Sequence, residues 1–386
     1  MRILYHHRTQ AEDGQAVHIR SLIEAFRAEG HEVHEEALVR RTGSAPQPKP
    51  DSGGAGAWSA LGRLPRFARE LAEYAYSVPA RRRLIRAGEE FKAQLLYERY
   101  AFGNTSGVSA SRRLGVPMVL EVNSPMVLEL SKTRGLSFPR LANRTERWTF
   151  QEADRVCVVT HVLADMLKEM GVAEERLFVT PNGVHPESYA DPDPAGARKA
   201  LGIETVTGPV LGFVGYYRPW HRLDLVVDGL GARELVDAHL VLIGEGPAEE
   251  ELRRQAQARG VAERVHFVGP RAHSEIPALL PAFDVGLVPA INPYASPLKL
   301  HEYMAAGLPS VAPDQPNLRE VLTPGEEALL FSPGDAGGLC AALAALVSDA
   351  DLRARMGERA RETLVARDLT WRGNARRVLA ALEGLS

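Results

Sequence analysis

Residues 289–314 read PAINPYASPLKLHEYMAAGLPSVAPD, and this stretch decides which fold the chain is expected to have. The pattern predicts a strand, a loop, a helix, a glycine turn and a second strand. Ser296 and Pro297 stand at the predicted helix start, where a proline is tolerated because its missing N–H would have no partner. Strands joined by such helices form parallel sheets with crossover helices.

The same alternation extends in both directions along the chain. Strands are predicted at residues 2–6, 31–39, 95–98, 117–122, 155–160 and 176–180, and, after the Pro/Asp-rich stretch 191–194, at residues 210–214, 239–243, 265–268, 284–289, 310–312 and 328–331. We therefore expect an α/β protein of two doubly wound domains that face a cleft, with ligands at the carboxyl ends of the strands. The domains are expected at residues 1–190 and 191–386, with the last helix able to pack back on the first domain.

The composition excludes several classes of protein. The chain has 386 residues, of which 45% are hydrophobic and 25% charged, and these are ordinary values for a globular protein. The formal net charge of 46 − 49 = −3 gives no sign of nucleic-acid binding. Two cysteines, Cys157 and Cys340, cannot form a disulfide framework. Because no signal-like or membrane-spanning apolar run is present, a cytoplasmic protein is expected.

Several short motifs resemble functional signatures but are incomplete. His301 and Glu302 would open an HExxH zinc motif, but the second histidine position holds Ala305. The DxD at 191–193 lies between prolines and favours a turn rather than a metal site. No GxxxxGK motif occurs, and the sequence GEGP at 244–247 lacks the third glycine of a dinucleotide fingerprint. No metal site is therefore expected.

The predicted helix after Pro297 carries the strongest binding signal. Free N–H groups and the positive end of the helix dipole make a helix start an anion site, and Lys299 in the first turn adds a full positive charge. One turn further along, Glu302 could accept hydrogen bonds from two neighbouring hydroxyls, such as those of a ribose. Together these residues indicate a nucleoside diphosphate lying across the helix start.

With these residues, the chain resembles the retaining glycosyltransferases of the GT-B fold, specifically glycosyltransferase family 4, over nearly its whole length. The family's E-x7-E motif places its ribose-binding glutamate at Glu302 and its first glutamate at Tyr294, where this sequence departs from the pattern. Ser296, Pro297, Leu298 and Lys299 take the place of the family's phosphate-binding turn. The resemblance implies that these residues bind a nucleotide-sugar donor.

A second match lies at residues 213–221, FVGYYRPWH. The family has an arginine and a lysine here that hold the leaving diphosphate. Tyr216 occupies the arginine position and His221 the lysine position, while Arg218 could supply the missing guanidinium. The resemblance thus implies that Arg218, His221 and Lys299 are the catalytic cations, and a bound diphosphate is expected to raise the pKa of His221.

Weaker matches complete the expected site. On the donor side they are the backbone of Gly244 and Gly246, Arg271 beside the base, and Gly14 near the phosphates. On the acceptor side they are His18, expected to face outward from the first turn of its helix, and Glu121 and Asn123 at a strand end. Polar residues at strand ends are often functional, although each of them could also be a cap or a turn.

The resemblance implies transfer of a sugar from a nucleotide-sugar donor to an acceptor alcohol, either lipid-linked or a small-molecule glycoside, with retention and without a metal or other cofactor. Two other functions stay open. A nucleotide-sugar 2-epimerase would also hold a diphosphate, but it would need no acceptor. A non-catalytic nucleotide-sugar-binding protein would show no turnover.

A basic amphipathic helix pair is predicted at residues 63–86, where arginines alternate with leucine, phenylalanine, tyrosine and valine. The simpler interpretation is a solvated helical face. The alternative is peripheral contact with anionic lipid on the inner face of the membrane, or with a phosphorylated acceptor.

Overall fold

The computed structural model describes residues 1–9, 14–37 and 65–384, and it divides the chain into two compact units. The amino-terminal unit comprises Met1–Thr180 together with Asn374–Ser386, and the carboxy-terminal unit comprises Pro181–Gly373. The boundary therefore follows Thr180, whereas the sequence placed it after residue 190.

The amino-terminal unit is built on a six-stranded parallel sheet in the order β2-β1-β3-β4-β5-β6. Its strands are β1 (Arg2–His7), β2 (Glu32–Ala37), β3 (Leu95–Arg99), β4 (Met118–Val122), β5 (Arg155–Val158) and β6 (Leu177–Val179). Its helices are α1 (Gly14–Ala28), α2 (Arg66–Ala75), α3 (Ser77–Phe91), α4 (Ser106–Leu114), α5 (Met126–Thr133), α6 (Pro139–Glu152) and α7 (His161–Glu169). Every residue of β3 and β4 is buried, as expected for inner strands covered on both faces.

The carboxy-terminal unit repeats this plan in the order β12-β11-β10-β7-β8-β9. Its strands are β7 (Val210–Val214), β8 (His239–Ile243), β9 (Val265–Gly269), β10 (Val285–Leu287), β11 (Ser310–Pro313) and β12 (Ala328–Phe331). Its helices are α8 (Pro194–Ala200), α9 (Leu223–Gly229), α10 (Glu249–Ala258), α11 (Ile276–Leu279), α12 (Leu298–Ala306), α13 (Pro316–Arg319), α14 (Ala336–Ser348) and α15 (Ala350–Ala366), and α16 (Trp371–Ala380) runs on into the amino-terminal unit. Short 3₁₀ turns lie at Glu174–Arg176, Pro186–Tyr189, Pro219–His221, Arg233–Leu235, Ala262–Arg264, His273–Glu275 and Leu280–Ala282.

Each sheet has one point where the strand order reverses. In the amino-terminal unit this point lies between β1 and β3, and in the carboxy-terminal unit between β7 and β10. Ligands of doubly wound sheets bind outside the carboxyl ends of the strands at such a point. Residues that follow β1, β3, β7 and β10 are therefore the first candidates for function.

The predicted α/β fold class is confirmed, and the twelve expected strands occur with ends that differ by a few residues. The Pro/Asp-rich stretch forms a helix cap, because the Asp193 side chain accepts a hydrogen bond of 2.9 Å from Gly196 N. Residues 41–60, where glycine, proline, serine and alanine predict a loop, lie outside the described residues, as does Arg63.

Candidate active site

Glycines line the carboxyl edge of the second sheet, at the ends of the adjacent strands β7, β8 and β9. Gly215, Gly244 and Gly269 have φ values of +138°, +136° and +75°, which side-chain-bearing residues rarely adopt. A Cβ on Gly244 would stand 2.1 Å from the carbonyl oxygen of Gly215, and one on Gly246 2.4 Å from the backbone nitrogen of Tyr217. At Gly244 and Gly246, where the sequence predicts backbone contacts with the donor, any side chain would clash with the backbone of the loop that follows β7.

The start of α12 lies at the reversal point of the same sheet, after β10. Pro297 precedes the first helical residue, Leu298, and has extended backbone angles. The preceding loop is fixed by Asn182, whose backbone N–H donates to Ser296 Oγ over 3.0 Å and whose side-chain amide donates to Ser296 O over 2.5 Å. Asn182 therefore positions the helix start.

Lys299 lies in the first turn of α12 and points toward β7. Its Nζ is 3.6 Å from the centroid of the Phe213 ring, a cation–π distance, and 3.2 Å from where a Cβ of Gly215 would lie. Burial lowers the pKa of Lys299 to about 7, although the nearby Glu302 carboxylate opposes this shift. The Lys299 ammonium has therefore lost much of its contact with water, and an anion bound here would stabilise its charge.

His221 packs against the same Phe213 ring. It is 7% exposed, its ring centroid lies 5.2 Å from that of Phe213, and its Nδ1 accepts a 3.4 Å hydrogen bond from Arg218 N. Burial, together with the charges of Lys299 and Arg218, lowers the pKa of His221 to about 3. In the free protein His221 is therefore a neutral side chain that caps a turn, and its protonation beside a bound diphosphate stays a prediction.

Arg218 is exposed and stacks over the Tyr216 ring at 4.9 Å. It lines a cavity of about 600 Å³ between α9 and α10, together with Arg222 and Asp224. The structure thus brings Lys299 and His221 together on the Phe213 ring. The Arg218 side chain, in the same loop as His221, lines the cavity between α9 and α10 instead.

Glu302 is 4% exposed and is paired with a histidine that sequence reasoning missed. His273 Nε2 lies 2.6 Å from Glu302 Oε1, and the His273 side chain is 40% exposed. His273 belongs to the turn that follows β9, two residues after Arg271, which is itself exposed. The only available signal was that His273 follows a strand end in the same loop as a predicted site residue.

Tyr294 is buried, whereas Gly14 is exposed. Tyr294 is 7% exposed, and its hydroxyl accepts a 3.4 Å hydrogen bond from Asn292, so it offers little surface to a ligand. Gly14 is the exposed first residue of α1, and the four residues before it lie outside the described part of the chain.

In the amino-terminal unit, Glu121 collects the predicted acceptor-side residues at the end of β4. Its carboxylate accepts hydrogen bonds from Asn123, Arg99 and, over 2.8 Å, the Tyr97 hydroxyl, and it lies 3.2 Å from His18 Nε2. Burial alone would raise the pKa of Glu121, but the charges of His18 and Arg99 bring it well below its usual range. His18 is 6% exposed and points inward to Glu121, so the expected outward orientation is wrong.

A second buried pair lies at the reversal point of this sheet, and sequence reasoning did not connect its members. His6 is the last residue but one of β1 and Glu98 the last but one of β3, and His6 Nδ1 is 2.5 Å from Glu98 Oε2. His6 Nε2 is 3.3 Å from the Tyr76 hydroxyl. The signal was available, because the ends of two predicted parallel strands each carry a titratable residue.

Two family models match the chain, one in each half. The model described as Glycosyltransferase Family 4 matches residues 13–188, and the model described as Glycosyl transferases group 1 matches residues 199–363. The chain belongs to the glycosyltransferases. The resemblance inferred from residues 213–221 and 289–314 is thereby confirmed for the family.

Curated relatives of this glycosyltransferase act in different contexts. It is 28% identical over 265 residues to 2-deoxystreptamine glucosyltransferase of Streptomyces kanamyceticus, which covers 64% of this chain and 67% of that protein. It is 28% identical over 309 residues to D-inositol 3-phosphate glycosyltransferase of Stackebrandtia nassauensis, with 74% and 67% covered. With 2-deoxystreptamine N-acetyl-D-glucosaminyltransferase of Streptomyces fradiae the values are 29% over 298 residues, 72% and 66%. The matches span about two thirds of these relatives' lengths.

Solved structures resemble the glycosyltransferase along its whole length. Anabaena HepE in complex with UDP has a TM-score of 0.74 at 19% identity and covers 99% of both chains. Sucrose-phosphate synthase from Thermosynechococcus elongatus has a TM-score of 0.73 at 20% identity, with 100% of this chain and 99% of that chain covered. The predicted GT-B fold is thereby confirmed.

Within residues 1–9, 14–37 and 65–384, no three histidine, cysteine or acidic side chains come together as a metal site would require. None of the helices in these same ranges combines the length and the apolar character that crossing a bilayer demands.

Proposed function

We propose that this glycosyltransferase moves a sugar from a nucleotide-sugar donor to an acceptor hydroxyl with retention at the anomeric carbon. The observation that carries the proposal is the start of α12. It lies at the reversal point of the second sheet with Lys299 in its first turn and Glu302 one turn further along. UDP is bound in the solved HepE complex, which supports a uridine nucleotide as the first donor to test.

Glu302 is suited to bind the ribose. Its carboxylate is buried and already accepts one hydrogen bond from His273, so the second oxygen can accept from a ribose hydroxyl. A buried, oriented carboxylate makes stronger charge-assisted hydrogen bonds than a neutral amide would. In this proposal His273 is a positioning residue that holds Glu302 in one orientation.

The diphosphate would lie across the helix start and Lys299. Breaking the bond to the sugar builds negative charge on the leaving diphosphate, and fixed donors aimed at that charge stabilise the transition state. One such donor is commonly worth about 3 kcal/mol. A bound phosphate would raise the pKa of Lys299 toward its ordinary value, because an opposite charge favours the protonated form. The side chain would then be an ammonium ion at neutral pH. Arg218 is the second candidate cation, since its guanidinium is exposed on the same loop as Tyr216.

Retention is supported by the family resemblance, which implies attack from the face that the diphosphate leaves. In such a reaction the C–O bond to the diphosphate breaks as the acceptor oxygen forms its new bond, and a leaving phosphate oxygen takes the acceptor proton. No carboxylate nucleophile is required. The cations of the carboxy-terminal unit would balance the phosphate charge, so we propose that no metal is needed.

The acceptor side is assigned to the amino-terminal unit. Glu121 is fixed by Arg99, Asn123 and His18, and it is held ionised, which suits a group that accepts hydrogen bonds from hydroxyls. Relatives are named for 2-deoxystreptamine and D-inositol 3-phosphate, both cyclic polyols. We therefore propose a small polyhydroxylated acceptor, with a lipid-linked alcohol as the alternative, and a cytoplasmic location.

The test is turnover with a panel of UDP-, GDP-, ADP- and dTDP-sugars, with and without a cyclitol or a lipid-linked alcohol, in buffer containing EDTA. Acceptor-dependent release of nucleoside diphosphate is expected for one donor. Formation of an epimeric nucleotide sugar without acceptor would instead assign a 2-epimerase. Binding of a nucleotide sugar without any turnover would assign a binding protein, and activity that needs Mn²⁺ or Mg²⁺ would contradict metal independence.

A further inference from the structure

Helix α2 packs onto the amino-terminal unit with a polar side inward. Glu70 is 3% exposed, and its carboxylate accepts hydrogen bonds from the backbone of Ser137 over 2.6 Å and of Phe138 over 3.0 Å. These two N–H groups lie at the start of α6, so Glu70 satisfies donors that a helix start leaves without partners. A buried carboxylate therefore helps to hold the inward side of α2.

Further polar contacts fix the same side of the helix. Arg66 donates to Ser137 Oγ over 3.2 Å and to Arg134 O over 3.3 Å. Arg134 in turn binds the Glu73 carboxylate over 2.9 Å. Arg66, Glu70 and Glu73 of α2 are thus engaged with the segment that runs from the end of α5 to the start of α6, beside Tyr74, which packs against the Phe102 ring.

Three apolar residues of α2 and α3 lie on the outside. Phe67, Leu71 and Val78 are 52%, 46% and 60% exposed. Their spacing of four and seven residues places them on one side of a helix. Tyr76, between α2 and α3, has helical backbone angles, so the two helices run on almost without a break. The break occurs where Pro79 removes one N–H from the hydrogen-bonding ladder.

Exposed arginines continue this apolar stripe. Arg81 and Arg82 follow Val78 by three and four residues, so they lie on the same side of the helix, and both are exposed. Neither forms an ion pair with any residue in the described ranges 1–9, 14–37 and 65–384. The chain as a whole carries a net charge of −3, so this positive charge is local.

We propose that Phe67, Leu71 and Val78, with Arg81 and Arg82, dock the protein onto an anionic lipid surface. Apolar side chains beside arginines suit the boundary between lipid headgroups and acyl chains. The apolar side chains insert between the lipids, and the arginines contact the lipid phosphates. A second copy of the chain fits less well, because three apolar side chains fall far short of the roughly 1,200 Å² that a stable interface buries. This inference goes beyond sugar transfer and does not depend on it.

The experiment is flotation of the full chain with vesicles of phosphatidylcholine alone or with 30% phosphatidylglycerol, at low and at 0.5 M salt. Binding is expected only to the anionic vesicles, and salt should weaken it. Phe67→Ser with Leu71→Ser should reduce the partition coefficient at least tenfold. Arg81→Gln with Arg82→Gln should also reduce it at least tenfold, since each arginine is worth roughly fivefold near such a surface.

A matched control is Val365→Ser, because Val365 is 69% exposed in α15 of the other unit. This variant should bind vesicles like the parent, and unchanged circular dichroism should show that all variants fold. Equal binding by the parent and both double variants would overturn the proposal. So would a concentration-dependent dimer that Phe67→Ser with Leu71→Ser abolishes, because the stripe would then join two copies. Sugar transfer to a soluble acceptor is measured separately, so failure of the two proposals can be told apart.

Discussion

The charge state of Lys299 gives the sharpest prediction. Its pKa of about 7 in the free protein means that about half of the molecules carry the ammonium at pH 7 and about 1% at pH 9. A bound diphosphate should return this pKa toward its ordinary value of 10.5, so binding takes up a proton. The sign follows directly: affinity falls as pH rises from the free-state pKa toward the bound-state pKa, by about 50-fold between pH 7 and pH 9.

Calorimetry of UDP binding in two buffers of different ionisation enthalpy measures both quantities. At pH 8 the parent should take up about 0.9 proton per nucleotide bound. Lys299→Arg is the matched control, because a guanidinium stays charged throughout this range and its binding should hardly change with pH. Lys299→Ala should bind weakly and equally at both values. A parent whose affinity is constant from pH 7 to pH 9, with no proton uptake, would refute this reasoning.

Other predictions concern the surrounding residues. Glu302→Gln should weaken nucleotide binding about tenfold or more, and His273→Ala should raise KM for the donor more than it lowers kcat, both by steady-state kinetics. His221 has a depressed pKa, so its contribution to stability is present above about pH 6.5 and is lost as pH falls toward 3. In urea unfolding, the parent should lose about 2 kcal/mol more than His221→Asn between pH 6.5 and 4.5. Gly244→Ala should cost stability and binding because of its 2.1 Å backbone clash, whereas Gly269→Ala has open space around the new methyl group and should cost less in thermal melts. Turnover should persist in EDTA, and its loss on chelation with recovery on adding Mn²⁺ would contradict the metal-independent proposal.

The fold was largely readable because parallel strands covered on both faces appear as short apolar runs. The run at residues 210–214 is one example, and strand β7 occupies those residues without any shift. Strand ends moved by a residue or two where the sheet pairing, not the apolar run, sets the limit, as at Arg99. The helix start at Pro297 was readable because proline and the following lysine act within one turn of the chain.

The pairs that form the site were less readable, because they join residues far apart in sequence. Nothing near Glu302 in the sequence shows that His273 lies 2.6 Å away, and His6 and Glu98 are 92 residues apart, connected only by their places at the ends of predicted strands. The low pKa of His221 in the free protein was unreadable for the same reason, since it depends on burial against Phe213 and on the charge of Lys299. Side-chain environment, unlike strand position, is a property of the packed fold.

One measurement tests the central claim most directly: a proton NMR time course of the reaction with a UDP-sugar of known α configuration and a cyclitol acceptor. The account predicts that the first product formed has an α anomeric signal, and that Lys299→Ala and Glu302→Gln, each folded, form it much more slowly. A β product, or parent-like rates in both variants, would contradict the assignment of a retaining donor site to the start of α12.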